Sequence, residues 1–279
     1  MDREIIGLAQ WFATDPGRYL LRWEQEQFDE ALADVFGYHA LQLGMPQLQA
    51  FRCNRMQHQW LATGGDLAGG EPTHQTIDPA NGVVPHASVM LHSACLPFSA
   101  NSLDLVVLPH TLELSDDPHL ALREVERVLV HEGRVVISGL NPASLWGLRQ
   151  RRSRWLPGMG RGQRFLPGQG QAIGHWRLRD WLRLLGFEVE SARFGGYRPA
   201  LTTDRWLERF AWMDRMGARW WPIFGAVYFV VAVKRVRGMR LIEPGWRTRA
   251  RRSAAPATAA QQKGGVGRES ALSSERHRP

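Results

Sequence analysis

Residues 96–140 read LPFSANSLDLVVLPHTLELSDDPHLALREVERVLVHEGRVVISGL and contain the strongest signal for the fold in this chain. Two apolar runs without alternation, 103–108 and 135–140, are typical of strands covered on both faces. Between them the spacing predicts an amphipathic helix with Pro118 in its first turn and Gly133 at its end. Its inward face is predicted to carry Leu120, Val125, Val128 and Leu129. A helix between two such strands indicates a right-handed βαβ crossover in a parallel sheet.

The residues that directly follow the two strands are the first candidates for function. In open α/β sheets, ligands bind beyond the carboxyl ends of the strands. Pro109, His110 and Thr111 follow the first strand, and Asn141 and Pro142 follow the second. We therefore expect a site at this edge of the sheet.

The same stretch resembles the second half of the class I S-adenosylmethionine (SAM)-dependent methyltransferase core. The matching segments are LPF, SLDLVVLPHTLEL, DPHLALREVERVL and EGRVVISGLNP, at 96–98, 102–114, 117–129 and 132–142. They are most similar to the type 11 small-molecule group, and VISGLNPASLWGLR resembles a bacterial subgroup of it. The resemblance is clear over 86–150 and extends over 37–236.

This resemblance implies an α/β fold with a Rossmann-like, mostly parallel sheet of about seven strands. The last strand, at 227–234, would be antiparallel. Helices at 2–13 and 18–36 would form an N-terminal segment, residues 1–36, that covers the cleft. The methyltransferase-like domain would then span 37–246, with a short helix at 48–56.

Composition shows where in the chain the positive charge lies and indicates the cellular compartment. The net charge is +8, but residues 247–279 hold eight basic and two acidic residues, so this predicted disordered tail carries most of it. Two cysteines without a spacing pattern favour a cytoplasmic protein without a metal cluster. The amino terminus does not read as a secretory signal, and the apolar run 222–233 is too short to span a membrane.

The loop after the first predicted strand departs from the family pattern. In the family, several glycines let backbone amides approach the methionine carboxylate of SAM, and an acidic residue precedes them. Here Gly44 is the single glycine, Gln42 stands where the acid is common, and Met45 and Pro46 replace small residues. The resemblance implies that Gly44 and Met45 bind the cofactor. The alternative is a strand and turn that bind no cofactor.

Other cofactor contacts follow from the resemblance alone. It implies Asp66 at the ribose hydroxyls, and His92 with Ser93 and Leu96 beside the adenine. A neutral imidazole can accept a hydrogen bond from the adenine amine. A plain loop residue is the other interpretation of His92.

His110 is the predicted catalytic residue, because the resemblance places it near the reacting methyl, with Pro109 lining the cofactor. The alternatives are a solvent-facing or a helix-capping histidine. Glu113 is interpreted only as an acid near the positive end of the coming helix. Asn141 would face the methyl acceptor.

Residues 145–175 form an insertion with six arginines and no acid, at positions 149, 151, 152, 154, 161 and 164. One interpretation is a flexible lid through which Arg149 recruits an anionic substrate or a nucleic-acid backbone. The other is a solvated loop. An aromatic face in a helix at 203–221, with Trp206, Phe210 and Met213, predicts core or an oligomer interface.

Two functions are compatible with these patterns. The leading one is a SAM-dependent methyltransferase whose acceptor is a small molecule or a nucleic acid and whose target atom is oxygen, nitrogen or carbon. Its chemistry needs alignment more than a catalytic dyad or a metal. The second is a catalytically degenerate module that binds nucleic acid or an acidic partner through the insertion and tail. A nicotinamide dehydrogenase is disfavoured, because no G-x-G-x-x-G follows an early strand.

Overall fold

Seven strands form one sheet in the computed structural model, which describes residues 8–64, 87–155, 166, 171–201 and 203–235. The strands are β1 (His39–Leu43), β2 (His58–Gly64), β3 (Ala87–Leu91), β4 (Leu103–Pro109), β5 (Leu129–Leu140), β6 (Phe187–Gly195) and β7 (Val227–Lys234). Their order across the sheet is β3-β2-β1-β4-β5-β7-β6. β7 runs antiparallel to both of its neighbours, while the pairs from β3 to β5 are parallel. The predicted Rossmann-like sheet with its antiparallel last strand is confirmed.

Among the described residues, helices precede β1 and follow β4, β5 and β6. They are α1 (Leu8–Phe12), α2 (Asp15–Leu32), α3 (Thr111–Leu114), α4 (Pro118–Val128), α5 (Leu145–Trp155), α6 (His175–Leu184), α7 (Asp204–Arg209) and α8 (Trp212–Trp220), and a 3-10 turn covers Pro222–Phe224. These elements lie within one compact unit, Met1–Arg237. The domain boundaries at 36 and 246 stay predictions, and the predicted tail lies outside the described residues.

The core has two layers, one on each face of the sheet. Along β4, Val106 and Leu108 point into the layer that contains Leu122 and Val125 of α4. Leu105 and Val107 point into the opposite layer, which contains Phe28 of α2. This alternation is why the central strands read as continuous apolar runs: every side chain has a covered face to enter.

α2 and α4 begin where the sequence supplies caps. Thr14 accepts a hydrogen bond from the Gly17 amide at 3.4 Å and starts α2. Asp117 accepts from the His119 and Leu120 amides at 2.9 and 3.0 Å and starts α4. A capping oxygen satisfies amides that lack a partner inside the helix, and this fixes where each helix starts.

The predicted inward face and end of α4 need correction. Leu120 is 45% exposed, and the buried stripe is instead Ala121, Leu122, Val125 and Val128. The helix ends at Val128, not at Gly133, because Leu129 already pairs with Leu103 as the first residue of β5. The β-branched residues around this position favour the strand, and a register shift accommodates the early start.

Two other local predictions are wrong. The segment 48–56 forms turns rather than a helix. Asn54 donates to the carbonyls of Leu32 and Val35 at 2.8 and 2.9 Å and accepts from the Met56 amide, so its side chain supports a turn. The insertion at 145–175 begins as helix α5 rather than as a loop.

Candidate functional site

His110 stands at the carboxyl end of β4, where the backbone turns into α3. Its φ of 53° lies in the left-handed region, which is uncommon for a residue with a side chain. Its amide donates to the Ser138 carbonyl at 2.9 Å, so the turn is tied to β5. The imidazole is completely buried. The predicted alternative of a solvent-facing histidine is therefore wrong.

Both nitrogens of His110 meet carboxylates. Nδ1 lies 3.1 Å from Glu113 Oε2, and Nε2 lies 2.9 Å from Glu24 Oε1 on α2. Glu24 also accepts from the Ser138 hydroxyl at 2.9 Å, and Glu113 accepts from the Leu140 amide. We refer to Glu24, His110 and Glu113 as the buried triad.

Burial by itself lowers the pKa of His110, but the charges of Glu24 and Glu113 outweigh it and raise the pKa to about 10. His110 is therefore a cation near neutral pH. Burial raises the pKa of Glu113 above its ordinary value, against the opposing charge of His110. A cationic imidazole that donates from both nitrogens has no lone pair for a substrate proton, so in this arrangement it acts as a positioning group.

Aromatic side chains enclose the triad. The Phe12 ring of α1 lies 5.1 Å from the His110 ring, centroid to centroid. Tyr228 of β7 is buried next to Gly139, where an added Cβ would lie only 2.4 Å from the tyrosine hydroxyl. Burial, and then the charge of Glu113, raise the pKa of Tyr228 well above its ordinary value. The tyrosine therefore stays neutral, and the position at Gly139 admits no side chain.

The loop after β1 is held by the amide of Gln42. Its Nε2 donates to the carbonyls of Gly44, Met45 and Leu48 at 3.2, 3.0 and 2.7 Å. Its Oε1 accepts from the Ala50 amide at 3.2 Å. A carboxylate could not make the first three bonds, because it has no donor at neutral pH. The glutamine is therefore required by a loop that turns three carbonyls and one amide toward this side chain.

Gly44 and Met45, the predicted contacts to the methionine part of SAM, lie at this loop. The Gly44 amide donates to the Ala62 carbonyl of β2 at 2.7 Å. The Met45 side chain is buried in an apolar cluster with Trp11, Phe12 and Leu140. In this arrangement the loop does not form a cradle for the cofactor's carboxylate, because the glycine amide is already bonded and the neighbouring space is filled.

The residues predicted to surround the adenine lie at the end of β3. His92 is exposed, and its backbone forms an isolated antiparallel β-bridge with Cys95. Leu96 is buried in the core. Ser93 is buried, with its hydroxyl 2.9 Å from that of Ser115 just after α3. This side of the site presents an exposed imidazole. Asp66, the predicted ribose contact, lies outside the described residues.

Asn141 and Arg149, the predicted acceptor contacts, are tied into the structure after β5. The Asn141 amide group donates to the carbonyls of Ile223 and Gly225 at 2.6 and 2.9 Å. Arg149 is exposed on α5 and donates to the Ala200 carbonyl. Asn141 thus connects the end of β5 to the turn before β7. Arg149 connects α5 to the segment that precedes α7. Pro109 is the last residue of β4, next to the triad.

The ends of β1, β4 and β5 therefore meet beneath α1. Sequence reasoning placed His110 here but missed Glu24 and misjudged Glu113, which is a triad member rather than only a helix-end charge. Glu24 had a signal: it falls four residues after Leu20 and four before Phe28, in the buried stripe of an amphipathic helix. A charged residue inside such a stripe needs a buried partner.

A family model described as Methyltransferase domain matches residues 53–137, from just before β2 into β5. The Escherichia coli (strain K12) protein with the name Uncharacterized protein YafS is 33% identical over 193 residues, which cover 68% of this chain and 70% of that protein.

Solved structures share the fold at low identity. One is the methyltransferase solved in complex with the Haloferax volcanii Trm112 methyltransferase activator, with a TM-score of 0.55 and 19% identity over 85% of this chain and 98% of that one. Another is a SAM-dependent methyltransferase from Archaeoglobus fulgidus, with a TM-score of 0.52 and 16% identity over 78% and 94%.

Proposed function

We propose, from the premise that this chain belongs to the type 11-like class I methyltransferase family, that it transfers a methyl group from SAM to an anionic acceptor. The observation that carries this proposal is the convergence of the β1, β4 and β5 ends at one edge of the family's sheet. Bound SAM would supply an activated methyl group, so the protein has mainly to align the acceptor and exclude water.

The exposed His92 would contact the adenine. The buried triad would hold the turn after β4 in place beside β5. Phe12 and Met45, which belong to one apolar cluster, would cover the place proposed for the cofactor's methionine part. We infer that α1 moves away when SAM binds. The free energy of SAM binding then includes the cost of separating Phe12 from the apolar cluster, which lowers the apparent affinity.

Isothermal titration of the folded chain with SAM tests this proposal. We expect saturable heat, and a loss of affinity in His92→Ala but not in His131→Ala, which removes another exposed histidine. Phe12→Ala should raise the affinity, because it removes part of the cover. Phe28→Ala, a matched loss of a buried phenylalanine in the layer between α2 and the sheet, should lower stability without raising affinity. If neither the parent chain nor Phe12→Ala binds SAM, the proposal is wrong.

The acceptor is proposed to be anionic because α5 follows the end of β5 and is rich in arginine. Arg149 and Arg151 are exposed, and no acidic residue occurs from 145 to 179. A carboxylate or phosphate on the acceptor would be attracted to this helix. Transfer of labelled methyl from SAM into an anionic metabolite fraction should fall in Arg151→Glu and persist in Arg177→Glu on α6. Equal transfer into a neutral fraction would contradict the anionic acceptor.

A second candidate is the degenerate module that binds nucleic acid or an acidic partner without catalysis. The observation in its favour is the bonded Gly44 amide in a loop with a single glycine and a proline. It predicts nucleic-acid binding that weakens steeply with salt, together with no heat from SAM. Salt-independent binding, or none, would exclude it.

A further inference from the structure

The segment that leads into β7 exposes an unusual amount of aromatic surface. Of the described large hydrophobic side chains that are exposed, half lie between residues 206 and 224. On α8, Trp212, Met216 and Trp220 are 57%, 40% and 67% exposed and stand four residues apart. Residues four apart lie on one face of a helix, so these three form a continuous stripe. Trp206 and the turn at 221–224 extend it, and we refer to the whole as the aromatic surface.

The opposite face of α8 is fixed against the protein, so the stripe does not turn inward. Gly217 lies against the Tyr197 ring, where an added Cβ would be 2.3 Å from Cγ. Asp214 accepts from Arg198 Nε at 2.8 Å and from the Tyr19 hydroxyl. The helix is therefore docked through its small and acidic residues, and its large apolar residues face outward.

Arginines border the aromatic surface. Arg205, Arg209, Arg215 and Arg219 are exposed, and Glu208 is the exposed acid among them. None of the four takes part in an ion pair formed within the described residues. The edge of the surface is therefore cationic, and it has charge to offer to an anionic partner.

From this composition we propose that the aromatic surface binds the surface of an anionic phospholipid bilayer. Helices that lie in a membrane interface combine tryptophan and aliphatic residues on one face with arginine beside them. The tryptophans would enter the headgroup boundary and the arginines would meet lipid phosphates. No helix among the described residues could cross a bilayer, so the contact would be peripheral.

Charge favours a bilayer over a second copy of this chain. In a twofold interface the same patch meets itself, so four arginines would face four arginines, and Glu208 is the exposed acid among the described side chains of the patch that would offset them. Like charges placed opposite each other are unfavourable in an interface. An anionic bilayer removes this repulsion and still covers the apolar stripe.

The aromatic surface is joined to the candidate site by hydrogen bonds. This connection is structural and does not depend on whether the protein transfers a methyl group. The Ile223 carbonyl, in the turn that belongs to the aromatic surface, accepts from Asn141 at the end of β5. Arg149 of α5 reaches Ala200, four residues before α7. Binding to a bilayer would therefore hold the acceptor side of the sheet close to the lipid.

Cosedimentation of the full chain with vesicles tests the proposal. We expect binding to vesicles of equal phosphatidylglycerol and phosphatidylcholine, and much weaker binding to phosphatidylcholine alone. Trp212→Ser with Trp220→Ser should lower the partition coefficient about tenfold or more, because it removes most of the apolar stripe. Trp176→Ser is the matched control: this tryptophan is exposed beside Arg177 on α6, and its loss should change nothing.

A second measurement separates insertion from simple charge attraction by the basic tail, which every variant retains. Vesicles with brominated acyl chains should quench tryptophan fluorescence of the parent chain, and the quenching should fall in the double variant. If the double variant does not fold by circular dichroism, quenching of the parent chain and of Trp220→Ser decides. Absence of quenching, or equal effects of Trp176→Ser, would overturn the proposal. So would loss of a dimer or of oligonucleotide binding in the double variant in place of vesicle binding.

Discussion

The turns after β1 and β4 lie side by side, but different kinds of side chain stabilise their backbones, neutral in one turn and charged in the other. Each has positive φ, 87° at Gly44 and 42° at Met45 in one, 53° at His110 in the other. The first turn is held by a neutral amide, Gln42, and the second by a buried charged group, the triad. Neutral hydrogen bonds contribute modestly to stability, whereas a buried ion pair becomes costly when one partner is lost. The two turns should therefore respond differently to substitution, pH and cofactor.

The largest difference should come from removing the cation of the triad. His110→Gln leaves Glu24 and Glu113 facing each other in a buried site without a compensating charge. We expect a loss of about 3 to 5 kcal/mol in the free energy of unfolding, measured by urea denaturation. Asp29→Asn, which breaks the partly exposed pair with Arg52, is the matched control and should cost less than about 1 kcal/mol. Similar losses in both variants would show that the triad is not a buried ionic group.

The turn after β1 should show a smaller loss when its donor is removed. Gln42→Glu retains the shape of the side chain but cannot donate to the carbonyls of Gly44, Met45 and Leu48. We expect a loss of about 2 to 3 kcal/mol in the free energy of unfolding. Gln57→Glu, at an exposed position, should be near neutral. If Gln42→Glu is also neutral, the loop rearranges so that these carbonyls no longer face residue 42.

Of the two turns, the one after β4 should make the stability of the protein depend on pH. Because the pKa of His110 is about 10 in the folded chain and 6.5 ordinarily, its contribution is complete below pH 6.5 and disappears as the pH rises through 10. The raised pKa of Glu113 also makes stability fall as the pH rises, from its ordinary value upward, and that of Tyr228 does so only above pH 10. His110 by itself should give a slope of at most about 1.4 kcal/mol per pH unit between pH 6.5 and 10.

Thermal or urea unfolding between pH 6.5 and 10 measures this slope. His110→Gln should flatten it, whereas Gln42→Ala should leave it unchanged, since it introduces no ionisable group and residue 42 forms none of the hydrogen bonds of the triad. A parent chain whose stability rises toward pH 10 would contradict a cationic His110.

The sequence predicted the sheet well because burial of a strand on both faces leaves a local signal, a continuous apolar run. The apolar runs in β4 and β5 and the β-branched run in β7 appear directly in the pattern. Helix ends were harder, because Asp117 caps α4 locally while the end of that helix depends on Leu129 pairing with Leu103. Pairing between distant residues overrides local preference at such boundaries.

The site was predicted only in part, for a related reason. His110 could be located because it follows a strand, which is a local position. Its state depends on Glu24, 86 residues earlier on α2, and on the cover that α1 provides. The sequence pattern of one segment does not predict a contact between residues so far apart in the chain. Gln42 was noticed as a departure from the family, but its three bonds depend on the path of the following loop.

The smallest expected effect is a difference in SAM affinity between two glycine-to-alanine variants that strain the backbone equally. Gly44 and Gly186 have nearly equal φ values, 87° and 83°, in regions that disfavour an alanine. Gly44→Ala and Gly186→Ala should therefore lose similar stability, about 1 to 2 kcal/mol each. If Gly44 meets the carboxylate of SAM after α1 moves, only Gly44→Ala should also weaken SAM binding in titration, about tenfold. Equal affinities in the two variants would show that the glycine serves the turn and not the cofactor, and the carboxylate would then have to bind elsewhere along the edge of the sheet.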